Sequence, residues 1–586
     1  MDTKDVATGA PISVAVSGGG QRATVWAFGA VSALVEHGLA DEVVCISSVS
    51  GGSIANGVLA EANAANPGIY ADTERYAGAI RPALEVAADR GLFPVGAPTG
   101  RWVAATFALL FAAMISFVGL LAAIAVSGRS DDPVHWLIGG AIVAVVLAFA
   151  LRGVKEFVAP RDKPADSGVA RRAFLVAPTF VLVTAVVWGT AALMDVIADG
   201  WNVLVIAAWF VLMVLFGAMA KNRLRRRGMV VRDALADGLL RGPGGRVSLA
   251  KVENPTLHHV MCATDLESGD HFYLTPRRLY GFREGTSAEA PKTVSLAAAV
   301  QASAALPAAF PAVTIETGPF EWTPPTDDPD APHLAAGVDR VVLADGGVYN
   351  NMADQWERGL RGRLEAVPAL EDVQQPARLL IMANASGAWE WKPFDDEAGF
   401  LSFETTALQR GQGVQYDVST ARRRRAAVSE FRSTESALRR ASRDGRDLGT
   451  VDGLIGTLAM IDRSPWTIVE AFLPDEGDAP DSPREHRAVE ARDFLDREAE
   501  EHGDDWDAIA RRNADVATTL DAIGRSATLE LLRHSYMLVS VGLYVLHGIG
   551  ALTPFPKEAF AWLEEADIER RPLVGLWRRE TAVRGG

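Results

Sequence analysis

Three short stretches of the 586-residue chain carry residues able to do chemistry. The first, "VVCISSVSGGSIANG", runs from Val43 to Gly57 and passes from an apolar, β-branched run into small residues, with Ser50 between Val49 and Gly51. A strand, a tight turn and a helix make a nucleophile elbow, usually written G-x-S-x-G. Small residues flank the serine because strand and helix approach closely, the sharp turn pushes Oγ outward, and the helix N-terminus favours the negative charge that develops. Here the motif reads Ser48-Val49-Ser50-Gly51-Gly52, with serine replacing the first glycine. The second stretch, "SGGGQR", puts Gly18, Gly19 and Gly20 between a strand and a helix, where backbone N–H groups can converge on an anion. An acyl-transfer enzyme needs such donors where the tetrahedral oxyanion forms, and Arg22 adds positive charge close by. No Lys-Ser/Thr pair follows, as a nucleotide P-loop requires, and Ala23 stands where G-x-G-x-x-G would end.

The third stretch, "LADGGVYNN", places Asp345 at a strand end before two glycines. Taken alone it is a turn aspartate. A partly desolvated Asp of raised pKa can also take a serine proton directly. The histidines offer little competition as a base. His258 and His259 open a strand, His37 ends a helix, and His135 lies in an apolar run. His271, after the turn "ATDLESGD", is the best remaining candidate.

These stretches need a scaffold, and the local patterns supply an α/β one. "ISVAVS", "VVCISS", "HHVMCATDL", "RVVLADGG" and "ARLLIMANAS" read as buried strands; "RATVWAFGAVSALVEHGL", "GGSIANGVLAEANAA" and "SLAAAVQASAAL" read as helices. Alternating strand and helix implies a mainly parallel sheet with helices on both faces, and sites in such sheets form at the carboxyl ends of strands. From about Asp395 the chain reads as mostly helical and charged, with a strand at "WTIVEAFL" and a loop at "DEGDAPDSPREH". The basic run Arg422–Arg425 fits either anionic lipid or a solvated helix face.

Between Arg101 and Lys221 the pattern changes. Trp102–Val126, Val134–Leu151, Phe174–Met194 and Trp201–Ala220 contain no Asp, Glu, Lys or Arg. Each is close to the ~20 residues a helix needs to cross a bilayer. The loop after the second stretch carries Arg152, Lys155, Arg161, Lys163, Arg171 and Arg172, and Lys221 to Arg227 follow the fourth. "SGRSDDP" and "DVIADG" are poor in basic residues, so the positive-inside rule puts both chain ends and the middle loop in the cytoplasm. The run from Met537, "MLVSVGLYVLHGIGAL", is shorter, is interrupted by polar residues, and reads as a packed core helix.

Composition narrows the partners. Net charge is −16, which argues against nucleic acid held by phosphate contacts. Two cysteines, Cys45 and Cys262, both in strand-like runs, make no disulfide framework or zinc site and suit a reducing compartment. The N-terminus has no basic start followed by an apolar core, so no secretory signal is expected.

"SGGGQRA", "SVSGGS" and "LADGGVYNN", in that order, resemble the patatin-like phospholipase family. "MCATDLESGDHFYL", "AVQASAALPAAFPAV" and "TTLDAIGRSATLELLRHSYMLV" are similar to further stretches of that pattern. The resemblance covers most of the chain outside the apolar stretches. It implies a three-layer α/β hydrolase with a Ser50–Asp345 dyad, an oxyanion hole from Gly18, Gly19, Gly20 and Arg22, and no metal or cofactor. Ser17 and Ser48 stand where the family usually has Asp and Gly.

The expectation is therefore a multi-pass protein of the plasma or inner membrane with a cytoplasmic hydrolase. Residues 11–100 and 222–395 form the hydrolase, 101–221 a four-helix insertion, and 396–586 a mostly helical C-terminal region. The expected substrate is a membrane glycerolipid or lysolipid. Alternatives are a deacylase or thioesterase acting on lipidated protein or acyl carriers, and a catalytically silent regulatory domain on a channel or sensor. Ser50 precedes the apolar stretches and Asp345 follows them, so a working dyad demands an even number of crossings. Single cysteines at Arg129 and Lys163 check this: in sealed cells an impermeant thiol reagent should label the first and spare the second.

Overall fold

The computed structural model describes residues 4–94, 98–127, 190, 202–240, 247–307, 310–323, 339–366, 374–387, 400–475, 478–502 and 505–565. These residues form two compact units, Met1–Phe93 with Val231–Gly586, and Pro94–Val230.

The first unit is built on one mixed, mostly parallel sheet. Its strands are β1 (Ile12–Val16), β2 (Val43–Ser48), β3 (His258–Asp265), β4 (His271–Leu274), β5 (Leu279–Gly281), β6 (Gly285–Ser287), β7 (Val313–Glu316), β8 (Trp322–Thr323), β9 (Arg340–Asp345), β10 (Leu379–Asn384) and β11 (Ile455–Met460). The order is β11-β10-β1-β2-β3, all parallel, continued by antiparallel β4-β5-β6-β8; β9 pairs antiparallel with both β3 and β7. The helices that matter here are α1 (Gly20–Glu36), α2 (Gly51–Ala65), α3 (Leu296–Ser303), α4 (Phe400–Arg443) and α5 (Arg525–Gly542).

Strand side chains alternate faces, so a strand buried on both sides feeds two cores. Ile12, Val14, Val16, Met261, Leu379 and Ile381 pack with Trp26 of α1, Ile54 of α2 and Leu531 of α5. Ala15, Cys45, Val260, Cys262, Leu380 and Met382 face the other way, against Trp356 and against Ala427 and Phe431 of α4.

The register at β3 sets up the site. β4 occupies one edge, pairing Met261–Thr264 with Leu274–His271. The other edge is shared. β2 lies along its first half, ending with Ser48 opposite Met261, and β9 comes from the opposite direction, ending with Asp345 opposite Ala263. Only Cys262 separates the two pairings, so the carboxyl ends of β2 and β9 meet head-on, roughly 7 Å apart at ~3.3 Å per strand residue.

The C-terminal part is not a separate region. β11 extends the parallel sheet beside β10, and α5 packs against α1, with Tyr536, Met537, Leu538 and Val539 fully or nearly fully buried. The apolar run from Met537 thus lies in the core. "WTIVEAFL" is not a strand: Trp466–Glu470 is a short helix, begun by Pro465 at φ −53, an angle proline's ring favours. β11 lies just upstream instead, in "IGTLAM", where Gly456 leaves no room for a side chain beneath Phe431. The expected loop at "DEGDAPDSPREH" ends early, because Pro483 opens a helix reaching His502. In the basic run, Arg422 and Arg425 are exposed, while Arg423 donates to the Gln355 side chain (2.5 Å) and the Tyr349 carbonyl (3.1 Å).

The second unit contains helices Pro98–Ser127 and Asn202–Arg225, which pack on each other, the Trp209 ring lying over Gly119. Their segments Ala105–Ile124 and Val203–Arg225, 20 and 23 residues long, are long and apolar enough to cross a membrane. Phe117, Ile124, Phe210, Val211, Val214 and Leu215 are exposed. The expected spans Val134–Leu151 and Phe174–Met194 lie outside the described residues, apart from Thr190. The unit begins and ends beyond the expected limits of 101 and 221.

The α1–α5 crossing is close enough to need a glycine. A Cβ on Gly29 would stand 2.5 Å from the Leu532 carbonyl oxygen and 2.9 Å from Ser535 Cβ, whereas one on Gly78 would meet nothing within 4 Å. Denaturant titration should find Gly29→Ala destabilised by about 1–3 kcal/mol. Gly78→Ala, at an exposed position of the helix Thr73–Glu85, should gain about 0.5–1 kcal/mol.

Candidate active site

Ser50 follows β2 and caps α2. Its backbone sits at φ 53°, ψ −122°. Ser50 and Ala353 are the two non-glycine residues of positive φ among the described residues. Such a conformation costs about 1–3 kcal/mol and persists only where surrounding structure enforces it. The Ser50 N–H donates to the Ser303 carbonyl at 3.0 Å. Gly51 must lack a side chain because its Cβ would lie 2.6 Å from the Gly20 nitrogen, and Gly52 because its Cβ would lie 2.6 Å from the Ser17 carbonyl oxygen. Helix α2 therefore starts against β1 and the glycine loop, and the chain can reach it only through a sharp corner at Ser50.

Ser48, just before the corner, has its hydrogen bonding met. Its buried hydroxyl lies 3.1 Å from the Val260 carbonyl, 2.8 Å from Asn56 Nδ2 and 2.9 Å from Ser53 Oγ. Asn56 also holds His259 Nδ1 at 2.7 Å.

The glycine loop lies beside the serine. A Cβ on Gly18 would come within 2.9 Å of Ser50 Cβ. The Gly18 N–H is used, donating to the Asn351 carbonyl at 3.1 Å, so Gly18 shapes the turn. Gly19 and Gly20 sit at φ 144° and 59°, open to glycine and strained for other residues. Among the described residues the amides of Gly19, Gly20 and Gly51 have no acceptor. Unspent donors grouped near a serine are what a developing oxyanion requires.

Asp345 ends β9. It is buried, and its Oδ1 accepts the Gly347 N–H at 2.7 Å. Burial pushes its carboxyl up to about 6, and the hydrogen bond from Gly347 and the nearby Ser50 hydroxyl partly offset that rise. The structure thus brings together Ser50, Asp345, Gly18, Gly19 and Gly20, taken from three separate stretches of sequence.

Arg22 is placed elsewhere. Its Nη1 donates to the carbonyls of Ala514 (3.0 Å) and Val516 (2.7 Å), tying α1 to the segment that crosses its N-terminus. That segment also presents the Thr519 carbonyl to the Gln21 N–H at 2.8 Å, and a Cβ on Gly20 would stand 3.0 Å from the Thr519 nitrogen. The positive charge expected in the oxyanion hole is spent on backbone carbonyls, because the first turn of α1 points residue 22 away from Ser50.

His271 is buried on β4, stacked on Tyr273 with centroids 5.1 Å apart and edge-on to Tyr349 at 4.3 Å; burial drives its pKa down to about 3. His258 and His259 stand at the amino end of β3. Among the described residues no histidine hydrogen-bonds to Ser50 or Asp345.

Three site-shaping residues carry no motif of their own: Ser303, Asn56 and Asn351. Asn351 offers its carbonyl to Gly18 and its Nδ2 to Ser386 Oγ at 2.6 Å. It lies inside "LADGGVYNN", so its neighbourhood was signalled though its role was not. No family model, no curated protein and no solved structure matches this chain.

The buried carboxylate has a measurable consequence. Unfolded, Asp345 ionises near pH ~3.9; folded, near 6. Between those values the folded state keeps a proton the unfolded state has lost, so stability falls as pH rises from about 4 through about 6. Two pH units correspond to roughly 3 kcal/mol. Asp345→Asn keeps the shape without the charge. Its melting temperature should exceed the wild type's at pH 7.5, and the gap should close by pH 4.

Proposed function

We propose that this chain is a membrane-bound serine acyl hydrolase of the patatin-like kind, cleaving esters of membrane glycerolipids or lysolipids. One arrangement carries the reading: a serine held in a strained corner stands beside a buried carboxylate of raised pKa, with unspent backbone amides around it. Strain at a positive φ that favours glycine and a desolvated acid are both costs to the fold, and both are what a nucleophile and its base need. The two apolar helices favour lipid as the substrate class, since a chain anchored in a bilayer meets lipid esters without diffusing from solution.

In the mechanism this implies, Asp345 takes the Ser50 proton as Oγ attacks the ester carbonyl. The carbonyl oxygen gains the negative charge and settles among the Gly19, Gly20 and Gly51 amides. Collapse expels the alcohol, which leaves with the proton from Asp345, and the acyl group stays on Ser50. Asp345 then deprotonates a water that attacks the acyl-enzyme, and hands that proton to Ser50 Oγ as the acyl–oxygen bond breaks and the acid leaves. Ionised Asp345 is required at both attacks, so the rate should rise with pH through about 6 and stay flat above.

Hydrolysis of lysophospholipid by the purified full-length protein in detergent tests this. The profile of kcat/KM should follow one ionisation near pH 6. Ser50→Ala and Asp345→Asn should each lose on the order of a thousandfold or more, and His271→Ala should stay within a few-fold of wild type. Loss in His271→Ala with retention in Asp345→Asn would overturn the dyad. A folded protein without turnover on any ester would favour a silent regulatory domain.

A further inference from the structure

The gap on the β3 edge between the ends of β2 and β9 is filled by a single residue from a third element. Ser303 is the last residue of α3, where helix carbonyls lack intrahelical partners. Its carbonyl accepts two amides: that of Ser50 at 3.0 Å and that of Gly346, next to Asp345, at 3.1 Å. Two residues on, the Ala305 carbonyl accepts the Asp345 N–H at 3.0 Å. The fully buried Ser303 hydroxyl donates to the Cys262 carbonyl at 2.6 Å, in the one stretch of the β3 edge that neither β2 nor β9 covers. It lies 2.7 Å from Ser53 Oγ on α2 and 3.2 Å from the Ser50 nitrogen. A hydroxyl has one donor and two acceptor positions, and all three are used.

We infer that Ser303 is a positioning residue for the dyad, a clamp whose carbonyl and hydroxyl together set the spacing of nucleophile and base. Nothing else described bonds directly to the peptides of both groups. The Ser50 amide and the Gly346 amide hang from one oxygen atom, so the distance between Ser50 Oγ and the Asp345 carboxylate follows from two hydrogen bonds and cannot drift independently of them. The hydroxyl fixes that oxygen in turn by pinning Ser303 to β3 and to the first turn of α2. Removing the hydroxyl frees the corner at Ser50 to relax from its strained φ. The inference rests on the proposed hydrolase reading, because a clamp matters to rate only if Ser50 and Asp345 react.

Ser303→Ala in the full chain tests it, with Ser53→Ala removing the same contact from the other side should the first variant fold poorly. Ser295→Ala is the control. It takes the N-terminal cap from the same helix, where Ser295 Oγ accepts the Ala298 N–H at 3.1 Å, without touching the dyad. Misplacing a reacting group by a fraction of an ångström to an ångström costs up to about a hundredfold in rate. Ser303→Ala should therefore lose roughly tenfold to a hundredfold in kcat with KM nearly unchanged. The acid limb of its pH profile should move up, since the Ser50 hydroxyl, whose presence nearby lowers the Asp345 pKa, is displaced. Ser295→Ala should melt lower yet keep kcat and the pH midpoint. A Ser303→Ala or Ser53→Ala protein with wild-type kcat and midpoint, while Ser50→Ala is inactive, would overturn the clamp and leave the hydrolase reading standing. Full activity in Ser50→Ala would overturn both.

Discussion

β3 lends a single edge to two strands that run in opposite directions, and the candidate site depends on that arrangement. β2 brings Ser50 to the middle of the edge from one end, and β9 brings Asp345 from the other. Residues 295 positions apart in the chain are thereby held side by side, their peptides bonded to one carbonyl, that of Ser303. The glycine loop joins them because β1 is the next strand over, in parallel register with β2, and so ends at the same level. Three strand ends meeting at one place bring together a serine, a carboxylate and free amides. A regular parallel sheet could supply the first and third; the antiparallel intrusion of β9 supplies the second.

The same arrangement creates stress that the surroundings must absorb. Turning from β2 into α2 in so little space forces Ser50 to positive φ, and Gly51 and Gly52 survive there only because they have no side chains. The carboxylate meets few polar partners, and burial raises its pKa. Stability is spent at both points, and the two hydrophobic cores on either face of the sheet have to offset it. The buried hydroxyl and amide groups of Ser48, Ser53, Asn56 and Ser303 then decide how rigidly the strained corner is kept. Satisfied polar networks of this sort specify one geometry, whereas an apolar filling would allow several.

Much of this was legible in the sequence. β2 and α2 begin and end where the change from β-branched to small residues puts them, and Asp345 stands at a strand end as "VVLAD" before glycines suggests. What sequence could not give was the third dimension of polar side chains. Arg22 follows the glycines, and proximity in sequence pointed it at the oxyanion. The helix turns it instead toward the carbonyls at Ala514 and Val516, almost 500 residues away in the chain. Ser303 lies inside the stretch "AVQASAALPAAFPAV", but its role had no signal, because a serine ending an alanine-rich helix looks like any other; its meaning comes from Cys262, Ser50 and Gly346, none of them near it in sequence. β11 was passed over for a neighbouring segment because β-branched residues in "WTIVEAFL" outweighed local signals, while Pro465 and tertiary packing decide that segment as helix. For the apolar block, hydropathy read two helices well, and the other two stretches fall on residues outside those described.

The central claim is that Ser50 is a nucleophile made reactive by Asp345. The most direct measurement is covalent capture. Full-length protein is treated with a fluorophosphonate at pH 7.5, digested, and the modified peptide identified by mass spectrometry. The account predicts one stoichiometric adduct on Ser50, formed at a rate that falls steeply in Asp345→Asn even though that variant is folded. Modification at another residue, or labelling of Ser50 at the same rate in Asp345→Asn, would contradict it.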